Sequence, residues 1–370
     1  MTGNGAMNGF TWTTLRLEPG VAGCPNQCRH CQEAAGPPFG ELLSLDEVRW
    51  LVGEFERVCR DTLETMPQFW IDVDTFEPTV HPDFLALLEY ARSFVPRSRR
   101  DEFECLSTNG YGLARIEDWR PVFEALRRAN VRGFGFGFAI HGLEAEHDWF
   151  VQRTGAYRDI ATVTRRALDC GMDLEFEIHL NKRNLSSFGS IVDSLEEMAL
   201  GQAKIYSGVP GYCMNERLRA FEPLRPTRAD KEHIAAVLQR APDRGSDTEG
   251  SFVHQLADAG REVSLCTCEH SGRGPQERTL GRLRVSPSFD VTEEFLSRPA
   301  VSHGNVKRDG IDTVWAHVME TCLSPMPGPE VLAQSFGDSQ SEALHGGIDS
   351  VYMKLCDAYW QKEKGGTAAY

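Results

Sequence analysis

Three cysteines lie close together near the amino terminus, and their side chains could hold a metal centre. Cys24, Cys28 and Cys31 are separated by three and two residues, with a glycine and a proline beside them. All three thiolates of such a loop can point at one centre, and soft thiolates select iron–sulfur clusters, zinc or copper(I). A structural zinc ion needs four ligands, whereas a four-iron cluster held by three cysteines leaves one iron open. The spacing therefore favours a cluster, and zinc with His30 as its fourth ligand is the alternative.

A later segment alternates bulky and small residues, which is typical of a strand with one bare face. One face carries Phe134, Phe136, Phe138 and Ile140, and the other carries Gly135, Gly137, Ala139 and His141. Bulky apolar residues of a strand in a parallel sheet pack against the surrounding helices. Glycine in a strand marks the close approach of a ligand or another backbone, so the bare face predicts space for something large.

The following strand alternates apolar residues with a polar row. The polar row consists of Glu175, Glu177, His179 and Asn181. Because burying such a row in an apolar core would cost free energy, we expect it to line a polar cavity. The alternative is an edge strand whose polar face lies in water. With Asp72 and Asp74 on the second strand, the row suits a small molecule that bears hydroxyl and amine groups.

Strand and helix patterns alternate about six times between Thr11 and Ser207, which predicts parallel βα units. The predicted strands cover 11–17, 69–74, 103–107, 134–142 and 173–181, and a sixth ends near Ser207. Ser44 and Glu47 form a capping-box pattern for a helix that runs to about residue 60. The expected fold is α/β, a partial (β/α)6 TIM-like barrel with a small α+β carboxy-terminal extension. We divide the chain into a core (8–210), connecting loops and helices (211–262) and the extension (263–370).

The amino-acid composition indicates which partners and which cellular compartment to expect. The 370 residues carry 39 lysines and arginines against 54 aspartates and glutamates, a net charge of −15. This balance argues against nucleic acid as a partner and favours a neutral or cationic substrate. The first residues lack the features of a signal peptide, and no stretch is long enough to span a membrane. Eleven cysteines without a secretory signal predict a reducing, cytoplasmic location.

Four motifs in order resemble the radical S-adenosylmethionine (radical SAM) enzymes. The cysteine triplet follows a first strand, as in that family. Thr75-Phe76-Glu77-Pro78 is similar to the family's Gly-Gly-Glu-Pro segment, and Thr108-Asn109-Gly110 and Arg153-Thr154-Gly155 lie where the family has comparable residues. The resemblance covers about residues 10–207.

The resemblance implies a [4Fe-4S] cluster on the three cysteines, whose open iron chelates SAM. An electron from a flavodoxin- or ferredoxin-type donor would cleave SAM to a 5′-deoxyadenosyl radical, which takes a hydrogen atom from substrate. Glu77 would bind the SAM ammonium, and Gly137 and Ala139 would make room for the nucleoside. Arg153 would bind the SAM carboxylate or ribose side, or else cap the following helix.

Other residues at the cofactor site depart from the family pattern or follow it by position. Thr75 and Phe76 replace two glycines beside the SAM amino group. Ala139 and His141 stand where many relatives have Ser and Asp. Asn109 is counted with the cofactor-binding residues because of its place in the third motif.

The carboxy-terminal region resembles a SPASM/twitch extension, which in relatives often binds an auxiliary iron–sulfur cluster. The resemblance rests on Cys268–Gly272, Arg282–Pro287 and His303–Trp315. Phe289–Glu293 has no cysteine where relatives carry one. Candidate auxiliary ligands are Cys266, Cys268 and Cys322, with Cys213 or Cys356 as a fourth. The alternative is an extension that keeps its shape as a lid without a cluster.

The reaction is predicted from the residues expected at the cavity. Cys213, just after the sixth strand, could return a hydrogen atom to a substrate radical, with Glu175, Glu177, His179 and Asp74 as further catalytic candidates. The leading prediction is hydrogen abstraction from a carbinol carbon of a carbohydrate or aminocyclitol in antibiotic biosynthesis, followed by epimerisation. The alternatives are dehydrogenation to a ketone, a peptide-modifying maturase, which the 23 residues ahead of Cys24 disfavour, and a non-catalytic SAM-binding protein.

Overall fold

The computed structural model describes residues 11–31, 41–73, 76–94, 105–129, 135–208, 221–227, 230, 277–295 and 298–322. The strands are β1 (Thr11–Pro19), β2 (Gln68–Ile71), β3 (Cys105–Ser107), β4 (Gly135–Ile140), β5 (Asp173–His179), β6 (Ala203–Gly208), β7 (Glu277–Val285), β8 (Asp290–Phe295) and β9 (Arg298–Asn305). The helices are α1 (Leu45–Thr62), α2 (Phe84–Ser93), α3 (Tyr111–Arg115), α4 (Trp119–Ala129), α5 (Glu144–Val151), α6 (Ala156–Asp169), α7 (Phe188–Met198), α8 (Val306–Asp309) and α9 (Ile311–Cys322).

The first six strands form the barrel-like core, and its α/β class is confirmed. Strands β3, β4, β5 and β6 pair in that order, all parallel, and β1 pairs in parallel with β2. Among the described strands, β2 and β3 share no ladder. The apolar faces of β4 and β5 are buried as predicted, with Phe136, Phe138, Leu174, Phe176 and Ile178 each at most 1% exposed. The parallel strands therefore direct their carboxyl ends, and the loops that follow, toward one edge.

Side-chain hydrogen bonds and an ion pair lie at the ends of several helices and strands. The predicted capping box is confirmed, because Ser44 Oγ accepts from the Glu47 backbone N–H and the Glu47 carboxylate accepts from the Ser44 backbone N–H. β2 ends at Ile71, three residues earlier than predicted. There the Asp72 side chain turns to pair with Arg16. β5 ends at His179, and the Asn181 side-chain amide bonds back to the carbonyl oxygen of His179, a local bond that favours a turn. The Asp72 backbone N–H still donates to the Leu17 carbonyl oxygen at 2.7 Å, so the ion pair with Arg16 does not itself end β2.

The carboxy-terminal strands extend the sheet of β1. β7 pairs in parallel with β1, and β8 and β9 follow antiparallel, which gives the order β2-β1-β7-β8-β9. Arg284 donates to the buried Glu18 carboxylate across the β1–β7 pair, with Nη2 2.9 Å from Oε1. Trp315 Nε1 on α9 donates to Thr62 Oγ1 at the end of α1, 2.8 Å away. Through these contacts the described part of the extension packs on the amino-terminal side of the core.

Two predictions about the whole chain, its domain boundaries and its lack of a membrane span, can be compared only with the described residues. Nearly all of 211–262 lies outside the described residues, so the proposed domain boundaries stay predictions. None of the described helices combines the length and the apolar character needed to cross a membrane.

Candidate active site

The cysteine loop after β1 is fixed to two other segments of the core. Gly23 forms an antiparallel bridge with Glu77, whose backbone N–H donates to the Gly23 carbonyl oxygen across 3.1 Å. The backbone N–H groups of Gln27 and Arg29 donate to the last two carbonyl oxygens of α5, on Val151 and Phe150, at 2.9 and 3.1 Å. The loop is therefore held at both ends before any metal binds.

The three cysteines of this loop fit a metal centre. None is disulfide-bonded, each is half-buried, and the Cys31 backbone N–H bonds the Cys28 carbonyl oxygen in a tight turn. Burial, with Glu77 and Cys31 nearby, raises the pKa of the Cys24 thiol to about 11. A buried thiol of this kind ionises when a cation replaces its proton, which is what iron would provide. Asn109 Nδ2 donates to Cys24 Sγ at 3.4 Å, as a residue next to a metal ligand does.

Glu77 is a completely buried carboxylate surrounded by neutral donors. Its oxygens accept from the Thr79 hydroxyl, from Thr108 Oγ1 at 2.8 and 2.9 Å, and from the Asn109 backbone N–H at 2.5 Å. Burial raises its pKa, although these hydrogen bonds oppose the shift. Among the described residues no lysine, arginine or histidine pairs with Glu77. A buried carboxylate without a cation beside the cysteine loop suits a ligand that carries an ammonium group.

Two glycines lie on the bare face of β4, and a Cβ atom would have different surroundings at each of them. A Cβ atom on Gly135 would lie 2.6 Å from the carbonyl oxygen of Asp173, so this glycine allows β5 to approach. A Cβ atom on Gly137 would meet only the Cβ of Cys105, at 3.7 Å. Ala139, two residues on, is exposed. The space predicted for a ligand therefore lies in front of Gly137 and Ala139, and Gly135 does not contribute to it.

Three histidines meet at the carboxyl ends of β1, β4 and β5. His30 Nε2 lies 3.1 Å from His179 Nδ1, and the rings of His30 and His141 are 4.5 Å apart. His141 also stacks on Phe150, with ring centroids 4.3 Å apart. Burial, reinforced by the neighbouring histidines, lowers the pKa of His30 and of His141 well below the usual range. The His30 and His141 rings are therefore neutral. One nitrogen of each of the three histidines lies within 4.8 Å of the others, a spacing that could also hold a metal ion.

The polar row of β5 is only partly available to a substrate. Glu175 is buried and lies 3.9 Å from Lys204 Nζ on β6. Asn181 is buried and bonds backbone carbonyl oxygens. Glu177 Oε1 lies 3.4 Å from His179 Nε2, and both of these side chains are partly exposed. Of the predicted row, His179 belongs to the histidine cluster and Glu177 lies next to it.

Arg153 joins the cysteine loop to helix α6. Its Nε donates to Asn26 Oδ1 and its Nη1 to Asp159 Oδ2, both at 2.5 Å. Its Nη2 atom is buried without a hydrogen-bond partner. The predicted helix contact is thus present through Asp159, and the Nη2 nitrogen could donate a hydrogen bond to a ligand oxygen.

Several predicted site residues lie outside the described residues. These are Asp74, Thr75, Cys213, Cys266, Cys268 and Cys356, and the side chain of Cys322 likewise. Asp72, also assigned to the substrate, is instead paired with Arg16. His30 was considered only as a zinc ligand, yet it faces the cavity residues. Its position inside the cysteine motif is the available signal, whereas nothing local in the sequence marks Phe150, which stacks on His141.

Comparisons with known proteins give one curated relative and several solved structures. No family model matches the chain. The mycofactocin maturase MftC of Mycolicibacterium smegmatis is 23% identical over 302 residues, which cover 80% of this chain and 68% of the relative.

Two of the solved structures align with most of the chain. The structure of anSMEcpe with bound AdoMet and Cp18Cys peptide is 13% identical, covers 95% of this chain and 98% of its own, and has a TM-score of 0.45. Streptococcus suis SuiB bound to precursor peptide SuiA is 12% identical, covers 76% and 59%, and has a TM-score of 0.41.

The sequence motifs, the three thiols beside a buried glutamate and the match to a maturase agree with one another. On these grounds the chain is similar to the radical SAM enzymes that carry a SPASM/twitch-like carboxy-terminal extension, and its three cysteines and Glu77 fit a [4Fe-4S] cluster and SAM.

Proposed function

We propose that this enzyme modifies a ribosomally made peptide. The observation that carries the proposal is the match to a maturase over 80% of the chain. It favours the peptide-modifying alternative over the leading prediction of small-molecule epimerisation. The specific assignments of epimerase or dehydrogenase gain no support from it.

The engaged polar residues also weaken the case for a carbohydrate or aminocyclitol. That prediction depended on a row of carboxylates ready to accept hydrogen bonds from hydroxyl and ammonium groups. Asp72 is paired with Arg16, and Glu175 is buried near Lys204. Each pairing would have to be broken before these carboxylates could bind a polyol, which costs free energy that a peptide substrate does not require.

In this proposal Cys24, Cys28 and Cys31 hold the cluster. The cluster and SAM, once reduced by one electron from an external donor, would supply the radical chemistry that removes a hydrogen atom from the substrate. Glu77 accepts from the SAM ammonium, and Asn109 donates to the Cys24 sulfur. The loop already has its backbone bonds in place, so cluster binding requires little reordering.

The nucleoside would lie in front of Gly137 and Ala139, with His141 at the end of that face. Neutral, buried imidazoles offer flat surfaces and hydrogen-bonding nitrogens without an electrostatic penalty for a cationic sulfonium. Arg153 Nη2, which has no partner, would bind the SAM carboxylate. Glu177 and His179 border the same space and would contact the substrate.

The auxiliary cluster and the hydrogen donor remain separate proposals. Cys266, Cys268 and Cys322 would hold a second cluster, and Cys213 would return a hydrogen atom if the product requires one. Iron counting on a variant that lacks Cys24, Cys28 and Cys31 tests the first proposal. Retained iron supports a second cluster, whereas iron-free protein contradicts it.

Mass spectrometry tests the peptide proposal. Protein reconstituted with iron and sulfide is given SAM, dithionite and one probe at a time. The probes are peptides encoded by short reading frames beside its gene, and 2-deoxystreptamine as an aminocyclitol. We expect a mass change in one peptide and faster release of 5′-deoxyadenosine. Stimulation by the aminocyclitol alone would contradict the proposal, and no release of 5′-deoxyadenosine at all would indicate a non-catalytic protein.

A further inference from the structure

The rings of His30, His141 and His179, which form the histidine cluster, are spaced closely enough to share one ion. His179 Nδ1 lies 3.1 Å from His30 Nε2, and one nitrogen of each of the three rings lies within 4.8 Å of the others. Zinc binds imidazole nitrogens at about 2.0–2.1 Å, so two ligands of a tetrahedral ion are about 3.3 Å apart. The His30–His179 pair is close to this spacing, and the third ring has to close by at most about 1.5 Å.

Two ring nitrogens of the histidine cluster are buried without a hydrogen-bond partner. His30 is 9% exposed and His141 is 2% exposed, and the Nδ1 atom of each has no partner among the described residues. A buried polar nitrogen without a partner costs free energy, because it has lost its hydrogen bond to water. The cluster therefore has bonding capacity that the described part of the chain does not use.

Glu177 lies against the ring of the cluster that reaches the surface. Its Oε1 atom is 3.4 Å from His179 Nε2, and the side chains of His179 and Glu177 are 18% and 34% exposed. A carboxylate on one nitrogen of a histidine holds the proton there and directs the lone pair of the other nitrogen to a metal. The other nitrogen here is Nδ1, which faces His30. The exposed edge of this pair gives an ion a path from solvent.

The ring planes favour an ion over a flat ligand between the histidines. His30 and His179 are inclined by 89° with centroids 4.9 Å apart, and His141 and His179 by 72° at 5.1 Å. Crossed rings bring together the edges that carry the nitrogens, whereas a base stacked between two rings needs them parallel and further apart. Glu177 and the buried Arg225 both act electrostatically on His30. Because their charges are opposite, metal affinity would come from the imidazole nitrogens.

We propose that the histidine cluster binds a divalent transition-metal ion. Zn²⁺ suits three neutral imidazoles in a tetrahedral arrangement. The site is separate from the three cysteines, which offer thiolates, and it goes beyond the proposed peptide modification. Glu177 is its positioning residue, because it acts through His179. Three protein ligands leave the fourth position of the ion to water or to an atom of a bound molecule.

Metal binding is measured in a full-length protein that carries Cys24→Ser, Cys28→Ser and Cys31→Ser, so that the thiolates of the loop do not compete. We expect equilibrium dialysis to give one zinc ion per chain. With Co²⁺ as the probe we expect visible ligand-field absorption without a thiolate-to-cobalt charge-transfer band. A charge-transfer band would show that another cysteine of the chain binds the metal and would overturn the assignment.

Substitutions in this cysteine-free loop background test the ligands. His141→Gln and His179→Gln should each weaken zinc binding by at least about 100-fold, and Glu177→Gln by about tenfold, since it holds a ligand and not the metal. His317→Gln changes an exposed histidine on α9 and should bind zinc within about twofold of the parent. Circular dichroism shows whether each variant folds. The partly exposed Glu177 provides a readout even if a buried histidine variant does not fold.

The inference is overturned if the parent protein binds no zinc. It is also overturned if the folded His179→Gln and Glu177→Gln proteins bind zinc as tightly as the parent. All these proteins lack the three cysteines proposed to hold the iron–sulfur cluster, so neither result bears on the proposed function.

Discussion

The side-chain amide of Asn109 donates a hydrogen bond to the Sγ atom of Cys24 across 3.4 Å. Hydrogen bonds to cluster sulfurs stabilise the reduced cluster, because reduction adds negative charge to the sulfur atoms. We expect Asn109→Ala to lower the reduction potential by about 40 mV, if the bond is worth ~1 kcal/mol more to the reduced state. A redox titration followed by electron paramagnetic resonance measures this shift.

The matched control for that titration is Asn109→Asp. Asn109 Oδ1 also accepts from the Tyr111 backbone N–H at 3.0 Å, and an aspartate keeps this acceptor while it loses the donor to sulfur. Its potential should fall at least as far as that of the alanine variant, since a carboxylate adds negative charge. An unchanged potential in Asn109→Asp would show that the turn, and not the bond to sulfur, matters.

His147 predicts the pH dependence of stability. The ring is buried, its Nδ1 accepts from the His141 backbone N–H at 3.3 Å, and burial lowers its pKa to about 4. The unfolded state, with a pKa near the usual 6.5, binds the proton more readily. The contribution of His147 to the free energy of unfolding is therefore fully present above pH 6.5 and is lost as the pH falls toward 4. The loss amounts to about 3 kcal/mol.

The comparison is between wild type and His147→Asn, both without cluster, in urea unfolding from pH 7.5 to pH 4.5. The asparagine Oδ1 can accept the same backbone hydrogen bond but does not titrate in this range. His147 also helps to lower the pKa of His30 and of His141, so the difference between the two proteins reports His147 together with its effect on these two rings. Parallel curves for the two proteins would show that His147 has no such effect.

The fold was predictable where periodicity was strong. The Phe and Gly alternation in 134–142 and the capping box at Ser44 each depend on neighbours in sequence, and both elements form as predicted. The ends of β2 and β5 were predicted three and two residues too far along the chain. Asp72 pairs with Arg16 on the neighbouring strand, and the Asn181 side chain bonds the carbonyl oxygen of His179, two residues back. Periodicity therefore predicts that a strand is present, whereas it does not show which polar residue has already left the strand.

The residues of the candidate site also differ in how far the sequence alone reveals them. The cysteine triplet and Glu77 are short motifs and could be found directly. The contact between His30 and His179 joins residues 149 positions apart, and Glu18 meets Arg284 across 266 positions. The small-molecule prediction treated Asp72 and Glu175 as available carboxylates, whereas the neighbouring strands place Arg16 and Lys204 beside them.

Gly135 and Gly137 lie on the same strand, but an alanine substitution is expected to change the free energy of unfolding by different amounts at the two positions. A Cβ atom on Gly135 would collide with the Asp173 backbone, so Gly135→Ala should lower the free energy of unfolding by about 2 kcal/mol. Gly137→Ala meets no such contact and should change it by less than about 1 kcal/mol. Gly137→Val should fold but weaken SAM binding about tenfold, because its methyl groups enter the nucleoside space.

Urea unfolding and isothermal calorimetry with SAM measure both effects in the reconstituted protein. Gly137→Ala serves as the control, since it adds a Cβ atom with little volume. Tight SAM binding by a folded Gly137→Val protein would place the nucleoside elsewhere. Equal destabilisation by alanine at both positions would contradict the difference in their surroundings.

Arg153 and Arg115 share one carboxylate, and this allows a paired test of the cysteine loop. Arg153 Nη1 and Arg115 Nη1 lie 2.5 and 2.9 Å from Asp159 Oδ2, but Arg153 alone of the two also binds Asn26. The Arg153 side chain is 13% exposed and that of Arg115 is 47% exposed. Arg153→Ala should lower the free energy of unfolding by about 2 kcal/mol, because it breaks the more buried contacts. Arg115→Ala should lower it by less than about 1 kcal/mol, because its pair is exposed.

Arg153→Ala should therefore loosen the loop that carries Cys24 and Cys28, and the cluster should be lost to a chelator faster than in wild type. Asn26→Ala should reproduce much of this effect, and the double variant should add little, because the two residues form one contact. Arg115→Ala should retain iron like wild type, since it leaves the loop untouched. Iron content followed over time in the presence of the chelator measures all four proteins, and equal loss from the Arg115 and Arg153 variants would assign the effect to Asp159 instead of the loop.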